Sequence, residues 1–356
     1  MGPSRASAGW LLFLVALGCG GGGQPTNGAD AAAGNDVALA VDAHPDRAML
    51  VIHDPIYYTD DRQTYRISGS DRTSVRFGAP GPALGLGPSP SGQRVVQILR
   101  DGTVHVYSST GTELGAFASM AAFLIGWIDE DTLLLHRIGD PSTLIRTRID
   151  GADSRVLPAP SADPRVGVSS VALAPDGSHA AVQLFRLDQT SVPPAIHIIS
   201  TSDGAETSQI DAHPTLGPIW ARDGALVWIE DGKLARATDD LHGKTLATLP
   251  FAPCSLDYWG RGSVLVGSVV LVSPDVGYCD EFRSIGTDGQ GITPLPWLTT
   301  PEHGVGLGQL MVRVSPDGTR LVVHDLLGPG LWTADLDGSL PEFLTAPIEP
   351  VTALAW

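Results

Sequence analysis

Two stretches of this chain follow one pattern, VALAPDGSHAAVQL (Val171–Leu184) and VRVSPDGTRLVVHD (Val312–Asp325). In each, an apolar run enters Pro-Asp-Gly and a second apolar run leaves it. Asp-Gly favours the positive φ angles of tight hairpin turns, so each stretch reads as strand, turn, strand. Weaker copies lie at Val41–Asp54, Gly87–Leu99, Gly126–His136, Ile219–Ile229 and Tyr258–Ser268. The seven copies are spaced roughly 38 to 55 residues apart. A second turn follows each copy, so each repeat offers four short strands, a to d. One four-stranded blade cannot bury both of its faces, and blades therefore stack into a ring. The expected fold is all-β, a seven-bladed β-propeller of four-stranded antiparallel blades. The 42 Gly and 28 Pro suit a chain of many turns.

The turn Ser315–Gly318 closely resembles the TolB-like propeller repeat, a relative of WD repeats. Pro175-Asp176-Gly177 and the aromatic positions Trp127, Trp220 and Trp259 resemble it too. The resemblance covers roughly residues 37–356 and implies the propeller fold. TolB carries an α/β domain before its propeller for which there is no room here, so its partner binding is not carried over. The final stretch, Val351–Trp356, matches the first strand of a repeat. It is expected to be the inner strand of the blade that begins near residue 49. Residues 37–42 compete for the same slot, which leaves the ring closure open between the two termini.

The N-terminus reads MGPSRASAGWLLFLVALGCGGGGQ. Trp10–Leu17 is an apolar run of signal-peptide length. It is shorter than the about 20 residues that span a bilayer. Ala16-Leu17-Gly18-Cys19 resembles the lipobox of bacterial lipoproteins. That resemblance implies cleavage of residues 1–18 and lipid on the sulfur of Cys19. An ordinary cleaved signal with an incidental Cys is the alternative. Gly20 follows Cys19 where Asp often marks inner-membrane retention, which points to the outer membrane, on its periplasmic or surface side. Residues 19–36 then hold the lipidated Cys and a Gly/Ala-rich tether, and 37–356 the propeller. The tether after Cys19 would span on the order of 20–25 Å as a coil.

Within a blade, a–b and c–d turns share one face, while b–c and d–a connections share the other. The second set reads as long and variable: His53–Gln63, Phe185–Ala195, Ser268–Glu281 and Trp297–Gly308. Binding residues gather on loops carried by a rigid scaffold, so this face is the candidate binding face. Strand b ends in a polar residue in several repeats: His53, Gln97, His136, Gln183 and His324. His53-Asp54 and His324-Asp325 read as one dipeptide at one register. These residues either ring a polar pocket or hydrogen-bond their own blades. Tyr57, Tyr58, Trp297 and His303 fall on the same loops, where aromatics suit sugars, peptides or protein surfaces.

The chain carries 39 acidic residues against 22 basic, a net charge of −17. That argues against nucleic acid, whose phosphates need a basic surface. No zinc-protease, nucleophile-elbow or phosphate-loop motif is present. No cofactor and no metal are expected. Two classes of function remain. One is a non-catalytic, membrane-anchored propeller, a monomer that docks an envelope protein or glycan. The other is a propeller enzyme, a lyase or hydrolase acting on an envelope polymer. Export places the chain in an oxidising compartment. With Cys19 lipidated, Cys254 and Cys279 are expected to form a disulfide, a curled b–c loop bringing them together.

Overall fold

The computed structural model describes residues 52–356 apart from 61, 70–72, 120–121, 138–142, 162, 164, 187–194, 222, 238–242, 261–262, 274–275, 296–309, 316–318, 326–329, 337–341, 346–350, 352 and 356. Among the described residues there are 28 strands and no helix, arranged as seven four-stranded antiparallel sheets. Blade 1 is β1 (Ile52–Thr59), β2 (Thr64–Gly69) and β3 (Ser74–Phe77). Blade 2 is β4 (Ala83–Pro88), β5 (Arg94–Leu99), β6 (Thr103–Ser108) and β7 (Glu113–Ala118). Blade 3 is β8 (Ala122–Asp129), β9 (Thr132–Arg137), β10 (Thr143–Arg148) and β11 (Arg155–Leu157). Blade 4 is β12 (Val166–Leu173), β13 (His179–Arg186), β14 (Ile196–Ser200) and β15 (Glu206–Ile210). Blade 5 is β16 (Leu216–Trp220), β17 (Leu226–Glu230), β18 (Lys233–Ala237) and β19 (Gly243–Thr248). Blade 6 is β20 (Pro253–Gly260), β21 (Ser263–Ser273), β22 (Val276–Gly286) and β23 (Thr293–Pro294). Blade 7 is β24 (Leu310–Val314), β25 (Arg320–Asp325), β26 (Leu331–Asp335) and β27 (Glu342–Thr345). The last strand, β28 (Ala353–Ala355), is the inner strand of blade 1.

That strand closes the ring. Ala353, Leu354 and Ala355 pair with Thr59, Tyr58 and Tyr57, so the C-terminal segment takes the slot for which residues 37–42 also competed. The inner strands follow one another in the cycle β28, β4, β8, β12, β16, β20, β24 and back to β28.

The core is divided among the seven blade interfaces. Val96 and Ile98 of β5 pack with Trp127, Leu133 and Leu135 of blade 3, while Val95, just before them, packs with Tyr57 and Phe77 of blade 1. Likewise Leu226 and Trp228 of β17 face blade 4, and Val227 and Ile229 face blade 6. Both faces of a second strand are therefore buried. This is why these strands read as unbroken apolar runs rather than as an alternation.

The turns bear out the Asp-Gly reading. Gly177 has φ +72° and follows Asp176, whose carboxylate accepts the Ser178 N–H at 3.0 Å. The same cap recurs where Asp150, Asp203, Asp223 and Asp288 accept from the residue two positions on. The Ser178 N–H, joined by the Ser178 hydroxyl, holds the Asp176 carboxyl below the usual carboxylate range.

Candidate functional site

The strand-end polar residues are the natural starting point for a site, and the structure spends them on the scaffold. Gln97, on β5, is fully buried. Its Nε2 donates to Thr64 Oγ1 at 2.7 Å and to the Ala79 carbonyl at 3.0 Å, and its Oε1 accepts from Ala79 N at 3.0 Å. It thus ties blade 2 to blade 1 and to the chain between them. Gln183, on β13, accepts from Ser170 Oγ and donates to the Pro214 carbonyl in the connection to blade 5. His136, on β9, is held to the Val168 backbone of blade 4. His324 is buried, with Nδ1 3.2 Å from the Gly330 carbonyl oxygen. Of the two readings open from sequence, structural hydrogen bonding describes these four, and their partners lie as often in a neighbouring blade as in their own.

Two sequence expectations are corrected. Tyr57 and Tyr58 do not lie on a loop. They are strand residues of β1, paired with Arg66 and Tyr65 of β2 and exposed by only 1% and 3%. Tyr57 sits edge-on to Phe77 at 5.0 Å, and burial pushes its phenol up to about 12 against the lowering pull of Arg66. Tyr58 Oη is 2.8 Å from Ser74 Oγ. Pro55 reads as a strand terminator, but it falls within a pairing irregularity between Ile52 and Ile56, where a missing N–H is tolerated. The second correction concerns register. His53 is the second residue of β1, near the a–b end, whereas His324 is the next-to-last residue of β25, paired with Leu331. His53-Asp54 and His324-Asp325 therefore occupy opposite ends of their strands. The side chains of His53, Asp54 and Asp325 lie outside the described residues, as do Cys19, Trp297 and His303.

The long-connection face is less uniform than the sequence suggests. Ser268–Ser273 and Val276–Glu281 are not loop but the facing parts of β21 and β22. The b–c connection of blade 5 is only Asp231-Gly232. The β-branched run of Ser263–Ser273 carried the strand signal that Gly267 and Pro274 obscured.

The opposite face carries a set of cross-blade links that spacing did not reveal. Arg66 Nη1 of blade 1 donates to the Ser109 carbonyl of blade 2 at 2.6 Å. Arg94 of blade 2 donates to the Glu130 carbonyl of blade 3 at 2.7 Å. Arg155 of blade 3 reaches the Ser202 carbonyl of blade 4, and Arg236 of blade 5 the Thr287 carbonyl of blade 6. Each guanidinium crosses to a turn of the following blade. Among the described residues, no three His, Cys, Asp or Glu side chains are grouped to hold a metal ion.

No protein-family model and no curated protein sequence matches the chain. Solved structures share its fold at low identity. The β-propeller domain of Cps50 (Swd1) from Myceliophteria thermophila is 12% identical with a TM-score of 0.56, covering 77% of this chain and 90% of that one. The dihydro-heme d1 dehydrogenase NirN is 14% identical with a TM-score of 0.55, covering 87% and 77%. A putative 6-phosphogluconolactonase from Bacteroides fragilis is 14% identical with a TM-score of 0.55, covering 84% and 96%. The three proteins differ in kind, so the likeness speaks to the β-propeller fold alone and not to one activity.

Proposed function

We propose that this propeller is a non-catalytic binding scaffold of the bacterial cell envelope, TolB-like in its repeat and tethered to the outer membrane by lipid on Cys19. The observation that carries the scaffold reading is the fate of the polar strand ends. Gln97, His136, Gln183 and His324 direct their polar atoms to blade and connection backbone, which leaves the outer surface as the place for recognition. The partner class is an envelope protein or glycan. The address rests on the signal-like run Trp10–Leu17, the small residues before Cys19 and the Gly/Ala-rich segment that follows.

The reading includes a Cys254–Cys279 disulfide. Its support is that Cys254 is disulfide-bonded, and that Cα atoms of β20 and β22 approach within 8 Å although β21 lies between them. Two strands across an intervening one are usually about 9.5 Å apart, so blade 6 is curled enough to approach bridging distance. Mass spectrometry of the non-reduced protein should show the linked peptides, and an alkylatable Cys279 would exclude the bridge.

Palmitate labelling of wild type and Cys19→Ala tests the address. Label and membrane fractionation should both be lost in the variant. Incubation with purified peptidoglycan or outer-membrane polysaccharide tests the scaffold. Binding without release of soluble fragments is expected; released fragments would make the protein an enzyme.

A further inference from the structure

Blade 2 ends in β7, whose six residues read ELGAFA from Glu113 to Ala118. It is the outermost strand of its sheet. Beyond it, Ser119 N–H donates to the Gly102 carbonyl, and the direction of backbone groups alternates along a strand. The N–H and C=O of Gly115 and Phe117 therefore turn inward to β6, and those of Ala116 and Ala118 turn outward. Among the described residues, no group bonds to that outward edge. Exposed edges are normally blunted by charge, proline or short length. The other outer strands follow that rule: β3 is four residues with Arg76, β11 three with Arg155, and β15 five beginning with Glu206. β19 has Lys244, β23 is two residues ending in Pro294, and β27 is four beginning with Glu342. β7 has one charge, Glu113 at its first position, and neither charge nor proline from Leu114 to Ala118.

The surroundings of this edge are apolar. Leu114 is 54% exposed. Val75 of β3 pairs with Arg66, whose guanidinium reaches Ser109 of blade 2, so Val75 lies on the face of blade 1 that looks toward blade 2. Val156 of β11 pairs with Ile145, which packs with Val96 and Ile98, so Val156 looks toward blade 2 from the other side. Val75 is 43% exposed and Val156 51%. Three of the five exposed large hydrophobic residues described thus lie on blade 2 or face it. A methyl group added at Gly115 would meet nothing within 4 Å. A notch therefore stands open on the face that Phe117 turns to blade 3. Bulky cross-strand side chains fill such glycine notches.

We propose that the outer edge of β7, from Leu114 to Ala118, is a strand-addition site for an extended segment of a partner protein, β-branched or aromatic in its middle and bearing Lys or Arg at the end beside Glu113. The class of partner follows from the chemistry of the edge. The outward N–H and C=O groups of Ala116 and Ala118 are matched by another extended backbone, and a glycan cannot supply one. The apolar middle covers Leu114 and fills the notch at Gly115. The charge follows from Glu113, whose side chain is 50% exposed although its carboxylate lies 3.0 Å from His105 Nδ1. At the far end of the strand, Asp101 is offset by its neighbour Arg100. The chain as a whole, at −17, draws a basic segment and repels a second copy of itself. This inference rests on the scaffold reading above and narrows its partner to a polypeptide.

Site-resolved hydrogen exchange on the intact protein tests it. The probe is a ten-residue peptide of alternating Thr and Val with Arg at both ends; a version ending in Glu and one with a central Pro are controls. The outward amides of Ala116 and Ala118 should exchange fast in the free protein and slow on adding the Arg probe, with much less effect from either control. Ala116→Pro removes an outward N–H and no bond to β6, as natural edges do; Ala116→Lys, made separately, places a charge on the edge. Each should weaken binding by roughly tenfold or more without moving the thermal midpoint by more than a few degrees. Slow exchange of both amides without any peptide would overturn the proposal, as would binding that both variants leave unchanged. A concentration-dependent dimer that Ala116→Pro abolishes would assign the edge to a second copy and overturn the partner. A protein that binds envelope material but not the probe defeats this proposal alone; one that binds neither defeats the scaffold reading with it.

Discussion

The indole Nε1 of Trp127 donates a 3.1 Å hydrogen bond to the carbonyl oxygen of Gly87, from the inner strand of blade 3 to that of blade 2. Two blades on, Trp220 makes the same bond to the Ala172 carbonyl, from blade 5 to blade 4, also at 3.1 Å. The aromatic before the first turn of a repeat is thus an interblade tie as well as a packing element. Trp127→Phe should keep most of the packing and lose the bond, costing about 1 kcal/mol. Trp127→Ala should cost about 3–5 kcal/mol, because it also opens a cavity beside Leu133 and Leu135. Urea unfolding midpoints of the two variants check the ordering; equal losses would mean that the bond contributes nothing separable.

Two turn glycines with nearly equal backbone angles separate conformational cost from crowding. Gly92 has φ +71°, and a methyl group added there would meet open space. The same methyl on Gly177, at φ +72°, would lie 2.0 Å from the Ile128 carbonyl oxygen of blade 3. Gly92→Ala should therefore cost only the left-handed backbone term, about 1–2 kcal/mol. Gly177→Ala should cost clearly more, because blade 4 must move away from blade 3. Thermal midpoints of the pair decide this, and an equal drop for both would show that the interface yields freely.

These residues also mark what is legible in the sequence alone. Asp176-Gly177 announces its turn through local backbone chemistry, and the weaker copies of the same strand-turn-strand pattern, most of them without Asp-Gly, carry the blade count. Tyr57 could not be placed in the same way. Pro55 imitates a strand end, and the pairing of Tyr57 with Arg66 on one side and with Ala355, about three hundred residues away in the chain, on the other shows that the strand continues. The roles of Gln97 and Arg66 were hidden for a related reason. Their partners, Ala79 and Ser109, belong to connections and turns beside the neighbouring strand, and a repeat period reports position within a blade but not the reach of a side chain between blades. The length of β21 and β22 was obscured by Gly267 and Pro274, which resemble loop punctuation beside a valine-rich run.

Gln97→Leu tests the best-satisfied of the polar strand ends. The substitution leaves Thr64 Oγ1 and both backbone groups of Ala79 without the amide they share in the wild type. Each buried group stranded in this way costs about 1–3 kcal/mol. The loss should exceed about 2 kcal/mol and should appear at the junction of blades 1 and 2, as faster amide exchange in 73–83. A neutral substitution would make Gln97 a candidate ligand contact again.

The last prediction concerns pH and His136. Burial holds its imidazole below the ordinary 6.5, and the bond to the Val168 backbone offsets part of that effect. The folded protein thus binds this proton less readily than the unfolded chain does. Above 6.5 neither state is protonated at this site, and the stability contribution is fully present. As pH falls below 6.5 the unfolded chain takes up the proton first, so stability is lost until the pH passes the depressed folded value. His136→Gln removes the titration while keeping a group able to donate to the Val168 carbonyl. Urea midpoints measured at pH 8 and pH 5.5 should therefore fall further for wild type than for His136→Gln, with the extra loss confined to the range below 6.5. Parallel pH profiles for the two proteins would show that His136 is solvated, and that the contact between blades 3 and 4 is looser than its buried residues Leu134, Val168 and Val182 imply.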